Sequence, residues 1–230
     1  MNKNALKIII LSITLVLPVL IFILLKTTGS NVYSLGEFDP LKNRKDTLNI
    51  LNPASNNCPD YTKDNVHRIP PFSFINQDGV RFSSEQLAGK VYVADFFFTT
   101  CSSICIEMSS EMKRIQETFK NNPDIMLVSY TVNPENDTAP VLKQYAERYS
   151  ADTKKWNFLT GNRDSIYNLA HCGYYILAKP NEKDVADFIH SDKLILVDKE
   201  KRIRGYYSGT DKEDIDRLII EIQLLMREYL

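Results

Sequence analysis

Cys101 and Cys105 are the residues whose type and spacing most directly offer chemistry. They stand at i and i+4 in Cys101-Ser102-Ser103-Ile104-Cys105. On a helix that spacing puts both thiols on one face, with Cβ atoms about 5–6 Å apart. If Cys101 sits on a loop and Cys105 opens a helix, free N–H groups and the positive helix end lower a thiol pKa. Two such thiolates close a disulfide or grip a soft metal, and copper(I) accepts sulfur at low coordination number. The plain alternative is a permanent disulfide or two small core residues. Thr99, Thr100, Ser102 and Ser103 flank the pair, which is no apolar stripe. Far downstream, Asp187 to Lys193 holds His190 and no proline. By position alone His190 is a solvent-facing loop residue, a hydrogen-bonding partner, or a third ligand that completes an S₂N set.

These residues need elements to hold them. Phe72–Ile75 and Val80–Phe82 flank Asn76-Gln77-Asp78-Gly79, the pattern of a hairpin with an Asp-Gly turn. Residues 84–87 form a short turn or helix. Lys90–Phe98 is a continuous apolar run, hence a strand buried on both faces. Helical spacing covers 105–119, with Met108, Met112, Ile115 and Phe119 on one stripe, which makes the methionines core residues. A second buried strand covers 125–132. A helix over 138–149 has Asp137 or Thr138 as its cap. Trp156–Leu159 is a short strand. Ser165–His171 is a helix that Gly173 stops. Strands 194–198 and 203–207 form a hairpin around a solvated tip, and 214–229 is a closing amphipathic helix. The order predicts an α/β fold, a thioredoxin-like mixed sheet flanked by helices with an N-terminal hairpin. In such a fold the functional loop follows the first buried strand, where the cysteine pair stands.

The N-terminus predicts a compartment. Ile8–Leu25 carries no charge, and 18–20 residues at about 1.5 Å each just cross a hydrocarbon core of about 30 Å. Lys3 and Lys7 precede it, so the positive-inside bias keeps the N-terminus in the cytoplasm. Residues 1–26 are therefore expected to be a single-pass transmembrane anchor, residues 27–69 a tether, and residues 70–230 a domain in the periplasm or other extracytoplasmic space. A cleaved signal peptide is the alternative, although no small-residue cleavage site follows Leu25. The whole chain of 230 residues has a net charge of -1. Without Lys3 and Lys7 the remainder holds 26 basic and 29 acidic residues, net -3. That near-neutral balance argues against nucleic acid as a partner.

Several separated stretches resemble the SCO/SenC family. They are Val93–Cys105, Thr131-Val132-Asn133-Pro134-Glu135-Asn136-Asp137-Thr138, Trp156–Gly161, and His190-Ser191 followed by Leu196-Val197-Asp198. The likeness covers about residues 70 to 228. It implies a membrane-anchored, thioredoxin-like metallochaperone that carries copper, as Cu(I) or Cu(II), to the CuA site of cytochrome c oxidase or a related respiratory copper enzyme. Residue by residue it implies Cys101, Cys105 and His190 as the copper ligands. Two positions depart from the family pattern. Ser102 and Ile106 stand where proline often follows each cysteine, and Ile189 stands where an aspartate often precedes the histidine. Asp187 or Asp192 is then left to orient the His190 ring.

Two other functions use the same residues. A thiol–disulfide oxidoreductase acting on cysteines of the copper acceptor needs Cys101 and Cys105 but no histidine. A peroxidase wants a threonine three residues before the attacking cysteine, and Phe98 stands there. Cys58 and Cys172 lie outside the signature. They are expected to be an exposed thiol in the tether and a buried core thiol, with a tether-to-domain disulfide as the alternative. His171 and Cys172 are adjacent, about 100° apart on a helix, which argues against a shared metal. His67 reads as an ordinary tether residue. Asp95, inside a buried strand, needs a partner and is expected to be a satisfied structural hydrogen-bond acceptor.

Overall fold

The computed structural model describes residues 3–28, 35, 58–59, 61–63, 66–176 and 191–229. The chain divides into two compact units, Met1–Ser34 and Leu35–Leu230. In the first, α1 (Lys3–Thr28) is a helix of 26 residues with Pro18 inside it. Its side chains are described only at Lys7 and residues 12–24. Among the described residues no helix is long and apolar enough to cross a membrane.

The second unit is built on a seven-stranded mixed sheet of order β4-β3-β7-β6-β5-β8-β9. Its strands are β3 (Ser73–Asn76), β4 (Arg81–Ser83), β5 (Val91–Phe97), β6 (Ile125–Thr131), β7 (Trp156–Thr160), β8 (Lys193–Val197) and β9 (Ile203–Ser208). Strands β5, β6 and β7 are parallel neighbours, and the remaining pairs are antiparallel. A separate small hairpin, β1 (Thr62–Lys63) with β2 (Val66–His67), forms where the sequence showed only polar residues.

Period-two alternation divides the core between two faces. Along β5, Val91, Val93 and Phe97 face one layer, and Tyr92, Ala94 and Phe96 the other. The first layer is filled by α2 (Ile104–Thr118), α3 (Ala139–Arg148) and α5 (Lys212–Arg227). Met108, Met112 and Ile115 of α2 are fully buried there, as their spacing predicts. The opposite layer packs α4 (Arg163–Asn168) and the turn after it against the hairpin residues Phe72 and Phe74. Every core strand is thus covered on both faces, which is why the strand sequences are continuous apolar runs.

Local chemistry sets the boundaries. Gly79 has φ 74° at the Asp-Gly turn, a left-handed position that glycine adopts without strain. Asn162 and Asp211 cap α4 and α5 through their side chains. Thr138 is the N-cap of α3 but makes no side-chain cap bond. Gly173 does not end its helix in a left-handed cap. The chain widens into a π-turn over Leu169–Gly173, with Tyr174 N–H donating to Leu169 O at 3.0 Å. Glycine is required there by contact, because a Cβ would lie 2.9 Å from Leu169 and 3.0 Å from Pro70. The β8–β9 tip is not wholly solvated either: Arg204 is buried and pairs with Asp198 and Glu228.

Candidate metal centre

The cysteine loop leaves β5 at the sheet end where the parallel strands finish. Phe98 O accepts from Cys101 N–H at 3.3 Å, which turns the chain, and Ile104 then opens α2. Cys101 is half-buried and Cys105 is 3% exposed; both thiols are free. Burial pushes the Cys101 thiol up. Backbone bonds from Ser103 and Cys105, with the Cys105 thiol and the Ser103 hydroxyl, outweigh it and hold the thiol below its usual value. Cys105 goes the other way. Burial raises it well above the usual thiol range against a backbone bond with Phe98, and Cys101 and Asp95 add to the rise. The pair is therefore an accessible thiolate former beside a buried, protonated thiol.

Two carboxylates support this loop. Asp137 is 0% exposed. It accepts from Thr99 N–H at 3.1 Å, from the Thr99 hydroxyl, and from the Thr131 hydroxyl at 2.5 Å. Sequence reading placed Asp137 at a helix cap and missed this clamp. The signal was available in the two threonines that end the neighbouring strands. Asp95, also 0% exposed, accepts from the Ser129 hydroxyl at 2.5 Å, and Ser129 in turn accepts from Trp156 Nε1 at 2.8 Å. Among the described residues its other oxygen has no hydrogen-bond partner, so the expected full satisfaction is only half met. Burial, opposed by the Ser129 bond, pushes the Asp95 carboxyl up to about 7.

His190, Ile189 and Asp187 lie outside the described residues. The strand that follows them is described. β8 runs antiparallel to β5 with Ala94 opposite Ile195 and Val93 opposite Leu196. The start of β8 therefore lies at the C-terminal end of β5, where the cysteine loop begins. Asp192 is already engaged: it accepts from the Ser208 hydroxyl at 2.5 Å and pairs with Lys193. A Cβ on Gly209 would meet both Met108 of α2 and Asp192 O, so β8, β9 and the helix bearing Cys105 converge there.

The remaining cysteines correct the sequence expectation. Cys58 and Cys172 form a disulfide with Cα atoms 5.5 Å apart, across 114 residues. Spacing in sequence could not reveal it. With His171 they are the one group of three potential ligands found among the described residues, with donor atoms all within 4.8 Å. His67 is buried too, with Nε2 2.7 Å from Gly173 O.

A mixed sheet with helices on both faces and a dithiol after its first core strand defines a thioredoxin-like α/β protein. The SCO1/SenC family model matches residues 61–227, and the chain belongs to that family. A SCO1/SenC family lipoprotein from Bacillus anthracis is 31% identical, with a TM-score of 0.62 over 69% of this chain and 95% of that one. BsSco, a member of the Sco family of cytochrome c oxidase assembly proteins in which a disulfide switch was identified, is 34% identical. Its TM-score is 0.60 over 71% of this chain and 96% of that one. Arabidopsis thaliana ScoI, solved with copper bound, is 27% identical, with a TM-score of 0.55 over 67% of this chain and 97% of that one.

Proposed function

We propose that this chain is a membrane-anchored copper metallochaperone that delivers copper to the CuA site of cytochrome c oxidase or a related respiratory copper enzyme. Cys101 and Cys105 hold the cargo as thiolates, and His190 supplies the third donor. The observation that carries this reading is the pair of free, unequally ionised thiols at the sheet end where β8 begins. The register of β5 and β8 supports a contribution from residue 190, and the copper-bound relative supports copper as the metal. Thiolate ligands suit Cu(I), and a three-coordinate site leaves room for an acceptor's ligands to attack. Residues 1–26 anchor the chain, residues 27–69 tether it, and residues 70–230 work outside the cytoplasm. The Cys58–Cys172 disulfide agrees with an oxidising compartment.

Equilibrium dialysis of the full chain in detergent, with Cys101 and Cys105 reduced and the Cys58–Cys172 disulfide intact, tests the assignment. One copper per chain is expected, with loss in Cys101→Ala, Cys105→Ala and His190→Ala. Undiminished binding in all three sinks it. A second reading, thiol–disulfide exchange on cysteines of the acceptor, is favoured by the same thiol asymmetry, since Cys101 is built to attack and Cys105 to resolve. Full biological activity of His190→Ala would select it.

A further inference from the structure

The turn after α4 carries a second sulfur-sulfur-nitrogen set. Cys58 Sγ, Cys172 Sγ and a ring nitrogen of His171 lie within 4.8 Å of one another. His171 and Cys172 come from the π-turn, and Cys58 from the segment before β1. The group contains no carboxylate, so its donors are those of a soft or borderline metal and not of magnesium or calcium.

Two observations separate this group from an ordinary structural disulfide. His171 Nδ1 is a buried nitrogen with no hydrogen-bond partner among the described residues. Leaving such an atom unsatisfied is unfavourable, and a native structure that retains one calls for an explanation. The second is that the turn bearing His171 and Cys172 is held by contacts other than the S–S bond. Gly173 packs against Leu169 and Pro70, its carbonyl is held by His67 Nε2 at 2.7 Å, and Tyr174 N–H closes the turn on Leu169 O. The β1–β2 hairpin, which leads from Cys58 to His67, is held by its own pairing. The turn bearing His171 and Cys172 therefore keeps its own support when the disulfide is reduced.

We propose that Cys58, Cys172 and His171 form a redox-gated second metal site, closed as a disulfide and opened by a dithiol reductant to bind one soft monovalent or borderline divalent cation. In the gating step one reductant thiolate attacks a sulfur of the Cys58–Cys172 bond to form a mixed disulfide. The second reductant thiol then displaces the remaining sulfur. The reductant leaves as its disulfide, and its two electrons and two protons end on Cys58 and Cys172. Metal binding releases those protons, and His171 supplies a neutral nitrogen lone pair.

The site is tested apart from Cys101 and Cys105. The full chain carrying Cys101→Ser and Cys105→Ser is reduced with dithiothreitol in detergent, desalted without oxygen, and titrated with Cu(I) against the chelator bicinchoninate. About one Cu(I) per chain is expected after reduction and essentially none before it. Adding Cys58→Ser or His171→Ala is expected to weaken binding by at least about tenfold, or about 1.4 kcal/mol. His171→Ala leaves the disulfide intact for folding, so it reports on the nitrogen alone. No uptake by the reduced chain, equal uptake before reduction, or undiminished affinity in either added variant overturns the proposal. None of these outcomes bears on Cys101, Cys105 and His190, so the two sites succeed or fail separately.

Discussion

Asp137 and Thr99, 38 residues apart, are joined twice: the carboxylate accepts from both the backbone N–H and the hydroxyl of Thr99. A third bond from Thr131 fixes the same carboxylate to the end of β6. The loop that presents Cys101 is thereby tied to the adjacent strand by the fully buried Asp137 side chain. Asp137→Ala leaves three donors without an acceptor and is expected to cost about 2–4 kcal/mol. Asp137→Asn, which keeps an acceptor oxygen, should recover part of that. Urea unfolding of the three proteins checks it, and equal stabilities would show the clamp to be idle.

Asp95 sets a pH dependence of definite sign. The folded carboxyl holds its proton to about pH 7, whereas the unfolded chain releases it near 3.8. Between those values the folded state binds the extra proton. Asp95 therefore contributes stability below the window, and that contribution is lost as pH rises through it. The slope is on the order of 1.4 kcal/mol per pH unit within the window. The difference in unfolding free energy between the native chain and Asp95→Asn should shift toward the variant from pH 4.5 to pH 7.5. A difference that stays constant with pH would refute this.

Cys101 and Cys105 should react at different rates. Cys101 is half-buried with its thiol pKa held down, and Cys105 is buried with its pKa raised. Iodoacetamide should modify Cys101 at least about tenfold faster than Cys105 at pH 7, with a rate midpoint below the usual thiol value of about 8.5. Peptide mapping of a partially labelled sample reads both rates at once. Equal labelling would remove the division into attacking and resolving thiols.

Gly209 tests how α2 and the start of β8 are kept in register. A Cβ there would lie 2.8 Å from Met108 Cγ and 3.0 Å from the Asp192 carbonyl oxygen. The methionine can yield but the backbone cannot. Gly209→Ala is expected to cost about 1–3 kcal/mol and to weaken copper binding by displacing the chain that follows His190. A variant with native copper affinity and native stability would show that the junction is slack.

Much of the fold was legible because its determinants are local. Val91–Phe97 reads as a buried strand from its unbroken apolar run, and Met108, Met112 and Ile115 announce the inner face of α2. The cysteine loop was legible for the same reason, since strand, loop and helix follow one another along the chain. What escaped depends on distant partners. Cys58 and Cys172 meet across 114 residues. The β1–β2 hairpin and buried His67 belong to a segment whose polarity hides its packing, and Arg204 looks like a surface charge until Asp198 and Glu228 are found beside it. Asp137 was visible as a cap residue, but its true partners lie on other elements.

The two thiol pairs stand on opposite sides of the sheet. Cys101 and Cys105 belong to the α2 layer, and the turn bearing Cys172 packs with Leu169, Ala170 and Tyr174 in the other. Four cysteines allow three complete pairings. The native pairing keeps Cys58 with Cys172, whereas either crossed pairing would join a cysteine of the α2 layer to one of the disulfide pair. A scrambled isomer is expected to pull α2 or the turn after α4 out of its native packing, so a disulfide isomerase would meet it as a partly unfolded chain. Oxidation errors in this protein are thus expected to appear as failures to fold, and not as a folded chain with Cys101 and Cys105 misdirected.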